Sequence, residues 1–141
     1  MEAIARRVKP GGRFVAEFGG KGNVAGFMEA AETAWKRVMP GQEFPSPWYY
    51  PGIAEYSMLL ERHGFEVTYA ILFDRPTTLE DGERGLRNWI AMFAGSVLEN
   101  LPVEKREEWI GILESEARGK LFQDGRWVMD YRRLRFVARK I

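Results

Sequence analysis

Apolar positions along this chain follow two periods, and the switches between them mark the elements. Ile4 and Val8 lie four apart, which predicts the closing turns of a helix over residues 1–8. Pro10-Gly11-Gly12 breaks it. "RFVAEF", residues 13–18, is a short apolar run between glycines and reads as a strand. Asn23 is placed to cap a helix on which Phe27, Ala30, Ala31, Ala34, Trp35 and Val38 share one face. Residues 39–52, "MPGQEFPSPWYYPG", form a proline-rich loop. A short helix follows from residue 53 and closes at Gly64. "FEVTYAILF", residues 65–73, is a second strand that Asp74-Arg75-Pro76 should end. Residues 83–99 read as one helix with Leu86, Trp89, Ile90, Phe93 and Val97 on a single face. Pro102 suits the first turn of another, carrying Trp109, Ile112 and Leu113. Asp124-Gly125 is a turn. Over residues 127–138 a last strand alternates, with Leu134, Phe136 and Ala138 on one face and Tyr131, Arg133, Arg135 and Val137 on the other.

Strands separated by pairs of helices require crossover connections, so the fold class is α/β. Three strands make a thin sheet for helical cover on two faces. The pattern is that of a partial doubly wound, Rossmann-like sheet in a single domain spanning residues 1–141.

Composition narrows the function. Of 141 residues, 45% are hydrophobic and 29% charged, the balance of a folded globular chain. The net charge of +1 offers no bulk attraction for nucleic acid or an anionic membrane. No apolar run approaches the length of a membrane span, and the first residues lack the apolar core of a signal peptide, so a cytoplasmic location is expected. Absence of cysteine removes disulfides, thiolate metal sites and cysteine nucleophiles.

Several stretches carry candidate chemistry. Gly20-Lys21-Gly22-Asn23-Val24-Ala25 matches a G-x-G-x-x-A turn between strand and helix, where backbone N–H groups could receive phosphate. The fingerprint also needs an acidic residue ending a second strand about 20 positions on. Glu43 stands there in a loop instead, which favours a plain strand-to-helix turn. His63 is the only histidine and reads as structural, at a helix C-terminus. No carboxylate cluster suggests a metal. Trp48, Tyr49 and Tyr50 stand in a stiff loop and suit either a small-molecule pocket wall or an apolar cluster that pins the loop. Arg75 and Arg87 could each clamp a carboxylate, although a solvated surface role is the default for both.

"RRVKPGGRFVAEFGG" resembles the approach to the fifth strand of class I S-adenosylmethionine-dependent methyltransferases, where a helix ends in an "LKPGG"-like turn. "YSMLLERHGF" is similar to the family's helix before strand six, residues 65–73 to strand six, and "YRRLRFVARK" to its antiparallel strand seven. The small-molecule, aconitate-methyltransferase-like branch is the nearest match. The resemblance covers all 141 residues but only the second half of that fold. The family's cofactor elements, a glycine-rich loop after strand one and an acidic residue ending strand two, have no counterpart here. It therefore implies the substrate-side half of a small-molecule methyltransferase, inactive alone, with S-adenosylmethionine as cofactor of the intact family enzyme and not bound by this chain alone. No catalytic, cofactor-binding or metal residue is carried over. The substrate pocket is expected to draw on Glu17, Asn23, Trp48, Tyr49, Tyr50, Arg75 and Arg87.

The same resemblance leaves strand 13–18 with a neighbour on one side only. An unprotected edge is a template for another strand, so a homodimer through residues 13–18 is expected. Two further functions stay open: a non-catalytic dimerisation or interaction module, and a phosphate- or nucleotide-binding module using Gly20 to Ala25.

Overall fold

The computed structural model describes all 141 residues, Met1–Ile141. Helix α1 spans Glu2–Arg7, followed by β1 (Arg13–Gly19), α2 (Ala25–Val38), α3 (Ile53–Arg62) and β2 (Phe65–Thr78). A 3-10 turn at Gly82–Arg84 leads to α4 (Gly85–Phe93), α5 (Gly95–Glu99) and α6 (Val103–Leu121). β3 (Phe122–Gln123) and β4 (Arg126–Lys140) complete the chain. The sheet order is β1-β4-β2, with β3 paired to β4. β4 runs antiparallel to β1 in the register Arg13 to Arg139 through Gly19 to Arg133. The expected α/β class, with a last strand antiparallel to the first, is what the chain adopts.

The chain divides into two compact units. One comprises Met1–Asn23, Tyr49–Arg75 and Tyr131–Ile141, the other Val24–Trp48 and Pro76–Asp130. In the first, Leu60, Phe65, Phe136 and Ala138 form a buried cluster. Phe14, Ala16 and Phe18 of β1, Ile4 and Val8 at α1, and Tyr56 of α3 pack against it. Ring pairs such as Phe14–Phe136 (5.3 Å) and Phe18–Tyr56 (4.8 Å) supply edge-to-face contacts within it. In the second, α2 packs on α6. Phe27, Ala30, Ala31, Ala34, Trp35 and Val38 are all buried, the face that the spacing predicts. The α6 stripe is Trp109, Leu113, Ala117 and Leu121, one residue every four. The Trp109 indole N–H donates to the Ala31 carbonyl at 3.2 Å.

Several sequence expectations are corrected. β2 does not stop at Asp74 but runs through Pro76 to Thr78. It is the last strand in the order β1-β4-β2, where a residue without an N–H is tolerated. The single helix over 83–99 is broken at Ala94, whose ψ of 19° leaves the helical range. Phe93, at the end of α4, consequently falls off the buried face and is 53% exposed. Asn23 is not the cap of α2. Val24 holds that position in the left-handed region at φ 48°. The Asp124-Gly125 turn closes a hairpin with a strand the apolar pattern does not signal, Phe122–Gln123. Both turn residues have positive φ, 49° and 75°, as a tight hairpin demands. Along β4 the buried parity changes. Trp127 and Met129 are buried at odd positions, then Leu134, Phe136 and Ala138 at even ones. A strict two-residue period cannot extend across that switch.

Candidate functional site

Ligands of open α/β sheets gather beyond the carboxyl ends of strands. At that end of β1, the chain passes from Glu17 through Gly19-Gly20 into a turn ending at Asn23. Both glycines are forced by close packing. A Cβ on Gly19 would lie 2.7 Å from the Tyr50 ring and from Asn23 Nδ2, and one on Gly20 would lie 2.5 Å from Leu72 Cδ1. Asn23 is 5% exposed. Its Oδ1 accepts the Arg132 backbone N–H at 2.6 Å, tying the turn to β4. Its side chain also hydrogen-bonds the Tyr50 hydroxyl. Burial pushes the Tyr50 phenol up, an effect the Asn23 bond partly offsets.

Glu17 is the centre of charge. Arg135 reaches its Oε2 through Nε and Nη2 at 3.1 and 3.0 Å. Arg75 approaches Oε1 at 3.2 Å and Arg133 at 3.4 Å. Arg133 stands directly across from Gly19, which has no side chain to obstruct it, and also donates to the Glu17 carbonyl at 3.3 Å. Hydrogen bonds from Arg135, with Arg133 adding to them, hold the Glu17 carboxyl below its usual range. One carboxylate thus faces three guanidiniums, and the cluster carries excess positive charge. Nearby, Arg132 pairs with Asp74 at 3.3 Å.

The structure therefore brings Glu17 together with Arg75, and Asn23 with Tyr50. Other expected residues part company. Trp48 packs on Phe27 (5.9 Å) and Trp89 (6.2 Å). Tyr49 is 62% exposed and donates to Glu55 at 2.6 Å, a bond that raises its pKa. Arg87 is held by Glu107 (2.7 Å) and Glu114 (3.1 Å), bonds that raise its own pKa. The three consecutive aromatics do not form one wall, because successive loop residues take different environments. Arg133 and Arg135 are the site residues that motif reading passed over. Their signal was the basic face of the last strand.

His63 donates from Nδ1 to the Leu59 carbonyl at 2.8 Å, one turn back in α3. It takes no part in the cluster. No group of three or more His, Asp or Glu side chains is placed to hold a metal.

The glycine turn after β1 does not fit S-adenosylmethionine or a phosphate. Tyr50, Asn23, Leu72 and Leu134 fill the space over Gly19 and Gly20. At the start of α2, Asp130 Oδ2 accepts the Gly26 N–H at 2.7 Å and the Asp130 carbonyl accepts that of Val24. The helix N-terminus already holds a carboxylate, which a second anion would meet as a like charge.

No protein-family model matches the chain. It is 32% identical over 148 aligned residues to the uncharacterised methyltransferase C70.08c of Schizosaccharomyces pombe, an alignment covering 99% of this chain and 54% of that protein. The crystal structure of a candidate methyltransferase from Bacillus halodurans superposes with a TM-score of 0.52 at 17% identity, over 99% of this chain and 60% of the other. The chain spans about half the length of the curated relative that it matches. With its β1-β4-β2 sheet and flanking helices, it carries a methyltransferase-like α/β fold.

Proposed function

We propose that these residues form the acceptor-side half of an S-adenosylmethionine-dependent small-molecule methyltransferase, and that the acceptor is a small carboxylic acid, as in the aconitate-methyltransferase-like branch. The observation that carries this reading is the convergence of Arg75, Arg133 and Arg135 on the single carboxylate of Glu17, beside the carboxyl end of β1. Arginine forks match carboxylates in geometry and charge. Glu17 holds the three side chains in place, and Arg133 and Arg135, which bond to it through Nε and Nη2, each keep Nη1 for an incoming anion. A carboxylate is nucleophilic without losing a proton, so an acceptor of this class asks for no general base. That suits a cluster in which Glu17 is tied to arginines and Tyr50 stays protonated. Positioning of the acceptor atom is then the contribution these residues make. The share of the fission-yeast relative that aligns, together with the packed glycine turn, supports a division in which the methyl donor is held elsewhere.

The test is calorimetric titration of the purified chain with a tricarboxylate, with its neutral triamide and with S-adenosylmethionine. The tricarboxylate is expected to bind saturably and the triamide not to bind. Arg133→Gln and Arg135→Gln should each weaken binding about tenfold, ~1.4 kcal/mol for a lost charge-assisted bond. Binding by both Gln variants as tight as by the wild type would overturn the acceptor assignment. Micromolar binding of S-adenosylmethionine, lost on mutating residues of this chain, would overturn the division into halves.

A further inference from the structure

Tyr50 stands on the same face of the sheet as the arginine cluster. Glu17 and Gly19 lie two apart in β1, so their side-chain positions share one face, about 7 Å from each other. Arg135 and Arg133, their partners across the β1–β4 ladder, point to that face as well. Gly19 leaves its place there empty, and the edge of the Tyr50 ring takes it. A Cβ on Gly19 would lie 2.7 Å from Tyr50 Cε1 and 2.9 Å from Cδ1. The half-buried phenol therefore flanks Arg133, whose charge acts on it.

Asn23 fixes what that phenol can do. Its Oδ1 is taken by the Arg132 backbone N–H at 2.6 Å. Its Nδ2 turns to Tyr50, lying 2.7 Å from the same point over Gly19 as the ring edge. An amide nitrogen donates and has no lone pair with which to accept, so the Asn23–Tyr50 bond ends on the phenol oxygen. The hydroxyl hydrogen is not used in that bond, and no other group of the chain accepts it. The neighbouring arginines carry donors only. Glu17, the acceptor at the centre of the cluster, is bonded to Arg75, Arg133 and Arg135.

We infer that Tyr50 is a fourth, uncharged donor of the acid-binding site, held by Asn23 with its O–H turned to the carboxylate that Arg133 receives. The inference rests on the carboxylic acid reading above and adds to it the residue that orients the acid. Guanidiniums attract an anion over a range of approaches, and their pull is screened by salt. A hydroxyl whose oxygen is pinned by Asn23 offers its hydrogen along few directions, so it selects how the carboxylate sits.

Calorimetry of the purified chain with tricarballylate, a tricarboxylate, compares the wild type with Tyr50→Phe, which keeps the ring over Gly19 and removes the hydroxyl. Tyr50→Phe should weaken binding about tenfold, the effect of losing one hydrogen bond to a charged group. A near-ultraviolet difference spectrum supplies a readout that a packing role would not move. On binding, the wild-type tyrosine band should shift as the phenol exchanges water for a carboxylate acceptor, and Tyr50→Phe should lose that shift. If circular dichroism shows that Tyr50→Phe fails to fold, the wild-type shift, present with tricarballylate and absent with the neutral triamide, carries the test. Binding by Tyr50→Phe as tight as by the wild type, or a tyrosine band unmoved at saturating tricarballylate, would overturn this inference and leave the carboxylic acid reading standing. A wild type that does not bind tricarballylate would overturn both.

Discussion

Glu17 shows how one side chain organises a surface. Its carboxyl is held below its usual range by Arg135 first and Arg133 second. A carboxyl with a depressed folded-state pKa contributes stability above its unfolded value. That contribution disappears as pH falls through the lower folded value. Thermal unfolding of wild type and Glu17→Gln, followed from pH 6 to pH 3, should therefore converge. The variant should melt lower at pH 6, where three arginines lose their shared partner, and the gap should close below the ordinary glutamate value of 4.5. A constant gap across that range would show that Glu17 acts by packing and not by charge. The Arg118–Glu83 pair also depresses a carboxyl, so an acid limb persists in the variant. Asp130 is the other residue with an organising role, since it caps α2 from a strand far along the chain. Nothing near residue 24 announces that cap.

Among the elements, α6 is the one whose loss would be felt most. Its four buried residues present one stripe, and Trp109 at its N-terminal end is fully buried, bonded to Ala31 and stacked near Phe44. Trp109→Ala should lower unfolding stability by about 3–5 kcal/mol, the range for large-to-small aromatic deletions. Urea denaturation reads this as a fall in midpoint at unchanged slope. A loss below about 1 kcal/mol would mean that the α2–α6 seam collapses onto the void. The helix breaks at Ala94 and the Asp124-Gly125 hairpin set the limits of pattern reading. Apolar spacing continues across Ala94 because Val97 is buried again beyond the break. A two-residue strand is too short to show a period of two.

At the scale of the whole molecule, the net charge of +1 and an isoelectric point near 8.0 predict least solubility close to pH 8. Precipitation by polyethylene glycol, measured from pH 6 to pH 9, should show its minimum there, and a minimum near pH 6 would contradict the charge count. No helix is long and apolar enough to cross a membrane. What the sequence alone determined was whatever local periodicity encodes: the buried face of α2, the start of β1 after Pro10-Gly11-Gly12, the Gly64 stop at φ +79°, and the apolar parity of β4 from Leu134 onward. Those features depend on residues within a few positions of one another. The tertiary structure alone decided which distant residues meet. Asp130 lies 104 positions from the Gly26 N–H that it accepts, and Arg135 lies 118 from Glu17. A strand-to-helix turn reads the same in sequence whether its amides await a ligand or are already bonded. Here the antiparallel return of β4 beside β1 settled the matter, bringing a capping carboxylate to α2 and arginines to the face of Glu17.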